Sequence, residues 1–380
     1  MDGMVKKRLL KSDVAVGEAI PWPICNSEGL VYFKSGFVFH SDKSLKRLDD
    51  IELYYAVPGK VSLDNSVTSV DSDSIVVQSI VDEKKVEPIY PVLDDCIARI
   101  DTVYERLHNH DKRVIADINQ LIEIIHGINQ RDRDCCIGAI HLYRKFSLKK
   151  LKPILLMLLC EIQAAELNVS AKGRYSLLAS ALTCNMVDID KNFDIWSSGE
   201  LFDQGLTGIA VDTIALLAGL GIEDRLWFDI LMQSCGSSQG IIEEAAVLRV
   251  ASNYLYQVTL GNQGKPLQSR SALQHIFKQA ERQNEKVYIG FIKDLGIYPP
   301  GSIVRLGNGE VGIVTRKSNA NALHVEVAVL CLSGGNDCPL PVYRISTQKG
   351  CSVVDVLDPG ELLIADPELL WLNRDSNRGM

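Results

Sequence analysis

From Val92 onward the apolar positions recur at intervals of three and four: Val92, Cys96, Ile100, Val103 and Leu107, then Val114, Ile118, Leu121, Ile125 and Ile128. That spacing marks one face of an α-helix, and Arg99, Glu105, Arg106, Lys112 and Arg113 supply the solvated faces. Residues 136–290 continue as helices, with connections at Asn168-Val169-Ser170, Gly199, Gly219-Leu220-Gly221 and Gly261-Asn262-Gln263-Gly264. Pro153 to Cys160 is the longest apolar run; lysines and Glu161 flank it, and it predicts a buried helix segment. The helical pattern stops at Leu295-Gly296, and Pro299-Pro300 prevent it from resuming. From Ser302 the period becomes two. Ile303–Leu306 and Val311–Val314 predict strands joined across Gly307-Asn308-Gly309, with further strands at Val325–Leu332 and Val353–Val356 and an end at Trp371.

Residues 1–56 read as a small β-rich module. Gly17 and Pro21-Trp22-Pro23 mark turns, and Asn26-Ser27-Glu28-Gly29 is a hairpin-type turn. Leu30–Phe33 and Phe37–Phe39 are its paired strands about Gly36, and Ser41 or Asp42 caps a short helix through Leu48. Residues 57–88 are rich in Ser, Asp and Val without a helical stripe, which predicts a linker with one extended segment at Ser74–Ile80. The expected architecture is mostly α: this N-terminal module, the linker, a helical domain over 89–300 and a C-terminal β subdomain over 301–372.

Composition narrows the function classes. The 380 residues are 46% hydrophobic and 23% charged, an ordinary balance for a globular protein. A net charge of -8 argues against duplex nucleic acid or an anionic membrane as the main partner. No apolar run reaches the roughly 20 residues of a membrane span. The start, Met-Asp-Gly-Met-Val-Lys-Lys-Arg, lacks the apolar stretch of a signal peptide. The ten cysteines include no CxxC pair, so they read as reduced thiols in a cytoplasm, mostly buried as small hydrophobes.

The chain has seven histidines, and none lies between His141 and His275. His108-Asn109-His110-Asp111 contains a literal His-Asp pair but sits in a polar stretch that predicts a connection between helices. Asp188, Asp190 and Asp194 have the spacing of an acidic loop before a helix, although carboxylates also bind Mg²⁺. Glu243-Glu244 suit the first turn of a helix through the macrodipole. There is no phosphate-binding Walker loop, no Gly-x-Ser-x-Gly and no dinucleotide fingerprint.

The string Phe291–Arg316, with its helix stop, Tyr298-Pro299-Pro300-Gly301 and Gly-Asn-Gly hairpin, resembles the tail of HD-GYP domains, a helical family that cleaves cyclic di-GMP at a cluster of metal ions. The resemblance spans roughly residues 140–330 and is strongest over 245–316. It implies an HD-type helical bundle. Ser180-Ala181-Leu182-Thr183 resembles the helix leading into the family's His-Asp pair, but Cys184 and Asn185 follow here. Leu216-Leu217, Gly221-Ile222-Glu223-Asp224 and Trp227 resemble the helices before its His-His-Glu, where this chain has Gln233-Ser234-Cys235-Gly236. Only Gly240 stands where the Gly-Tyr-Pro loop would be. Ser252, within Val250-Ala251-Ser252-Asn253-Tyr254, replaces a ligand aspartate. The helix near Lys149–Leu156 carries lysines where the first ligand histidine belongs.

Cys184, Asn185, Gln233, Ser234 and Ser252 are thus substituted metal-ligand positions. The resemblance then implies no catalytic residue, no bound metal and no cofactor, and a catalytically inactive regulatory or scaffolding protein of bacterial signalling that acts on a protein partner. One alternative is a cyclic di-GMP receptor without turnover, binding through Lys149, Lys150, Lys152 and Arg249. The other is a residual phosphodiesterase with a rebuilt metal site.

Overall fold

The computed structural model describes residues 4–15, 18, 20–22, 24–25, 31–33, 53–58, 88–184, 186, 204–235, 240–261, 265–278, 284–318, 321, 323–335, 337–358 and 367–371. The chain divides into two compact units, Met1–Pro88 with Leu372–Met380, and Ile89–Trp371.

The first unit holds a four-stranded antiparallel sheet of β1 (Met4–Arg8), β2 (Ile24–Cys25), β3 (Val31–Phe33) and β4 (Tyr54–Pro58), in the order β1-β4-β2-β3. Trp22 stacks on Tyr55 with ring centroids 3.8 Å apart, and Ile24 and Leu53 are buried beside them. Val31–Phe33 pairs with Ile24–Cys25, while the expected turn at 26–29 lies outside the described residues. Phe37–Phe39, the capped helix at 41–48 and the segment Ser74–Ile80 lie outside the described residues. Strand β4 runs past residue 56.

The second unit is mostly helical. Its described helices are α1 (Ile89–His108), α2 (Val114–Arg131), α3 (Arg133–Leu142), α4 (Leu148–Glu166), α5 (Ala171–Thr183), α6 (Gln204–Gly219), α7 (Arg225–Cys235), α8 (Glu243–Thr259), α9 (Ser269–Lys278) and α10 (Glu285–Leu295). Helix α4 is the axis of the bundle. Every residue from Leu151 to Ala164 is buried, because α1, α2, α3, α5, α8 and α10 all contact it. A helix buried on every face has no solvent side to present, so the bundle forms around it.

A five-stranded antiparallel sheet follows, β5 (Ile303–Leu306), β6 (Val311–Lys317), β7 (Val325–Cys331), β8 (Asp337–Ile345) and β9 (Val353–Val356), in the order β8-β7-β6-β5-β9. The β5–β6 hairpin closes through Gly309 N–H to Leu306 O at 2.8 Å and Leu306 N–H to Glu310 O at 2.8 Å. One face of the sheet joins the helical core through Ile303, Val311, Ile313, Ala328 and Leu330. Val304, Leu306, Val314, Val325 and Val327 form a second apolar cluster on the other face. Arg316 of β6 pairs with Asp132 at the cap of α3. At the chain's last described residue, the Trp371 indole N–H donates to Thr315 O at 3.3 Å. Its ring lies where a Cβ on Gly138 of α3 would clash at 2.4 Å, so the close approach requires glycine there.

Candidate functional site

Helices α4, α5, α7 and α8 meet where the resemblance places metal ligands. Ser170 caps α5 by accepting from Gly173 N–H at 3.1 Å, and the helix delivers Cys184 at its other end. Asp224 Oδ1 accepts from Trp227 N–H at 3.2 Å at the start of α7, whose last residue is Cys235. Lys152, near the start of α4, is 5% exposed. Lys152, Cys184 and Cys235 lie within electrostatic reach of one another.

Burial disfavours the Lys152 ammonium and brings its pKa down to about 7, with the two thiols acting against that shift. Burial likewise pushes the Cys184 thiol up to about 12, opposed by Lys152. Cys235 is raised by burial too, against the Ser234 hydroxyl, Arg249 and Lys152. Thiols held this high are neither nucleophiles nor ready metal ligands at neutral pH.

The polar residues beside them are committed to backbone groups. Arg249 of α8 donates from Nη2 to Gln233 O at 2.6 Å and from Nε to Ser234 O at 3.3 Å, closing the end of α7. Gln233 Oε1 accepts at 2.9 Å from the N–H of Ile242, the residue at which α8 begins. The Ser234 hydroxyl donates to Leu231 O at 3.0 Å. Ser252 lies half-buried on α8, one turn beyond Arg249. Lys149 is exposed, and Lys150 pairs with Asp101 of α1. The structure therefore gathers Lys152, Cys184, Cys235, Gln233, Ser234 and Arg249, while Lys149 and Lys150 stand at the solvated start of α4. Asn185, Asp188, Asp190 and Asp194 lie outside the described residues.

The imidazoles of the helical unit are placed elsewhere. His108 bonds the Tyr104 carbonyl of its own helix at 2.8 Å, and His110 occupies the connection between α1 and α2 with φ 51°. His126 of α2 meets the fully buried Glu161 of α4 at 2.8 Å, and Arg174 of α5 stands 3.7 Å from the same carboxylate. That trio ties three helices together, a role hidden in the sequence because its ends, His126 and Arg174, lie 48 residues apart. His141 of α3 donates from Nδ1 to Pro300 O at 2.7 Å and accepts from the Tyr254 hydroxyl at Nε2 over 2.6 Å. Its only sequence signal is a histidine inside the apolar run Ile137–Tyr143.

Among the described residues no group of three or more His, Cys, Asp or Glu is placed to hold a metal ion. A buried amine, two high-pKa thiols and the Gln233 amide bonded at the start of α8 do not fit the imidazole and carboxylate donor set of a metal-dependent phosphohydrolase. Among the described residues no helix is long and apolar enough to cross a membrane.

No protein-family model and no curated protein matches the chain. Among solved structures, Bd1817, a HDG"Y"P protein from Bdellovibrio bacteriovorus, aligns over 76% of this chain and 99% of its own, with 11% identity and a TM-score of 0.45. A likeness at that level carries neither activity nor ligand across.

Proposed function

We propose that this chain is a non-hydrolytic regulatory or scaffolding module on an HD-type helical framework, working in cyclic di-GMP signalling through a protein partner. The observation that supports this reading is Lys152, buried within reach of Cys184 and Cys235. The Lys152 amine occupies space among the former ligand positions, and its protonated form repels a metal cation from them. Its lowered pKa is the mark of a group held in a poorly solvated interior. The remaining polar groups are turned toward helix ends, so the scaffold is kept by bonds that need no metal.

The receptor alternative draws on Arg249 and Lys152, the two cations that share Cys235. Arg249 already spends its guanidinium on Gln233 and Ser234, which weighs against its serving a phosphate. Metal analysis of the purified full chain tests the main reading. Substoichiometric iron, manganese and zinc are expected, and two ions per chain liganded by residues of α4, α5, α7 or α8 would overturn it.

A further inference from the structure

We propose that a second cavity, between the ends of α3 and α8 and the β5–β9 edge of the sheet, is a binding site for a small monocarboxylate with an apolar body. The cavity holds about 260 Å³ and is walled by apolar residues that include Val258, Leu267, Ile303 and Leu357. It belongs wholly to the helical unit and shares no lining residue with the Lys152 cluster, so it stands independently of the functional reading above.

Arg144 supplies the recognition. His141 also lines the cavity, but its two ring nitrogens are engaged by Pro300 and Tyr254, and burial brings its pKa down to about 4. Arg144 is thus the one group among the described lining residues that is charged at neutral pH. Its guanidinium is already fixed. Nη1 donates to Tyr143 O at 2.7 Å and Ile140 O at 3.2 Å, and Nη2 donates to Val258 O at 3.4 Å. These are carbonyls at the ends of α3 and α8, which a cation suits.

A guanidinium has five N–H groups, about three of which are spent on those carbonyls. The remainder are Nε–H and one Nη2–H, which lie side by side on one edge. That edge is the fork a carboxylate accepts with both oxygens. Because the carbonyls hold the fork before any ligand arrives, little side-chain entropy is lost on binding.

A second observation is independent of the first. Ser302, 5% exposed and part of the lining, has a buried hydroxyl with no hydrogen-bond partner among the described residues. Buried hydroxyls are seldom left so, and a ligand oxygen is the missing partner. One cation, one unpartnered hydroxyl and largely apolar walls fit a monoanion, since the other polar lining side chains, Gln268 and Ser269, are engaged by Val356, Asp358 and Tyr254. A phosphate dianion would need a second cation that the described lining does not offer.

The test uses the full chain with hexanoate and its neutral counterpart 1-hexanol, followed by calorimetry and by methyl shifts in the NMR spectrum. Hexanoate is expected to bind saturably and to perturb Leu267 and Ile303. Hexanol should bind about tenfold more weakly or worse, the scale of one charge-assisted hydrogen bond. In a folded Arg144→Gln variant that preference should vanish. Equal affinity for acid and alcohol, no saturable binding of hexanoate, or an unchanged preference in Arg144→Gln would each overturn the proposal. The wild-type pair decides the matter even where the variant fails to fold.

Discussion

The Tyr254 hydroxyl donates to Nε2 of His141 over 2.6 Å, joining helix α8 to helix α3 through a neutral imidazole. The tautomer follows from the other nitrogen: Pro300 O can only accept, so Nδ1 carries the proton and Nε2 is left as acceptor. Gly301, at φ 91°, brings the Pro299–Gly301 turn so near that a Cβ there would stand 2.7 Å from His141 Cβ. The turn that ends the helical run is therefore clasped to the bundle by one histidine.

Acid should open that clasp. Burial lowers the His141 pKa from 6.5 to about 4. Between those values the unfolded chain binds a proton that the folded one refuses. The contribution is intact above pH 6.5 and is lost as pH falls toward 4, about 2 kcal/mol by pH 5 on the usual linkage arithmetic. Urea unfolding at pH 7 and pH 5 is expected to show this loss, with a shallower loss in a His141→Gln variant.

Trp371 should matter far beyond its place near the chain end. Its indole covers Gly138 and bonds Thr315, and it lies 6.0 Å from the Tyr90 ring. Trp371→Ala should destabilise the helical unit by about 3–5 kcal/mol, the range for large buried aromatics. A change within the error of chemical denaturation would show the contact to be dispensable.

Much of this framework is legible in the sequence because its signals are local. The stripes from Val92 to Leu107 and Val114 to Ile128 mark α1 and α2, and Gly307-Asn308-Gly309 marks the β5–β6 hairpin. Strand β8 is hidden because Pro339 and Pro341 read as turn residues. Prolines are tolerated there since β8 is an edge strand with β7 as its neighbour. Lys152 is hidden for another reason. Lys149, Lys150 and Lys152 look alike as a solvated run, and burial begins at Leu151, only because six helices close around α4. Tertiary ties such as Glu161 to His126 leave no trace in spacing at all.

The buried ammonium should leave its own signature in stability. With a folded pKa near 7 against 10.5 unfolded, Lys152 costs most below pH 7. Stability should then rise as pH climbs from 7 toward 10, since the unfolded chain binds the extra proton through that window. Lys152→Met is expected to raise the urea midpoint at pH 7 and to flatten that rise. A variant less stable than the parent at both pH values would show that the ammonium is held by bonds worth more than its burial.

The most direct measurement is turnover of cyclic di-GMP by the full chain with Mn²⁺ or Fe²⁺ in excess. On the proposed reading, Lys152 beside Cys184 and Cys235, with Gln233 and Ser234 bonded to backbone groups, offers no ligands for a metal-bound hydroxide. The account predicts a rate indistinguishable from a control without protein. Hydrolysis above that control, lost on substituting residues of this cluster, would contradict it.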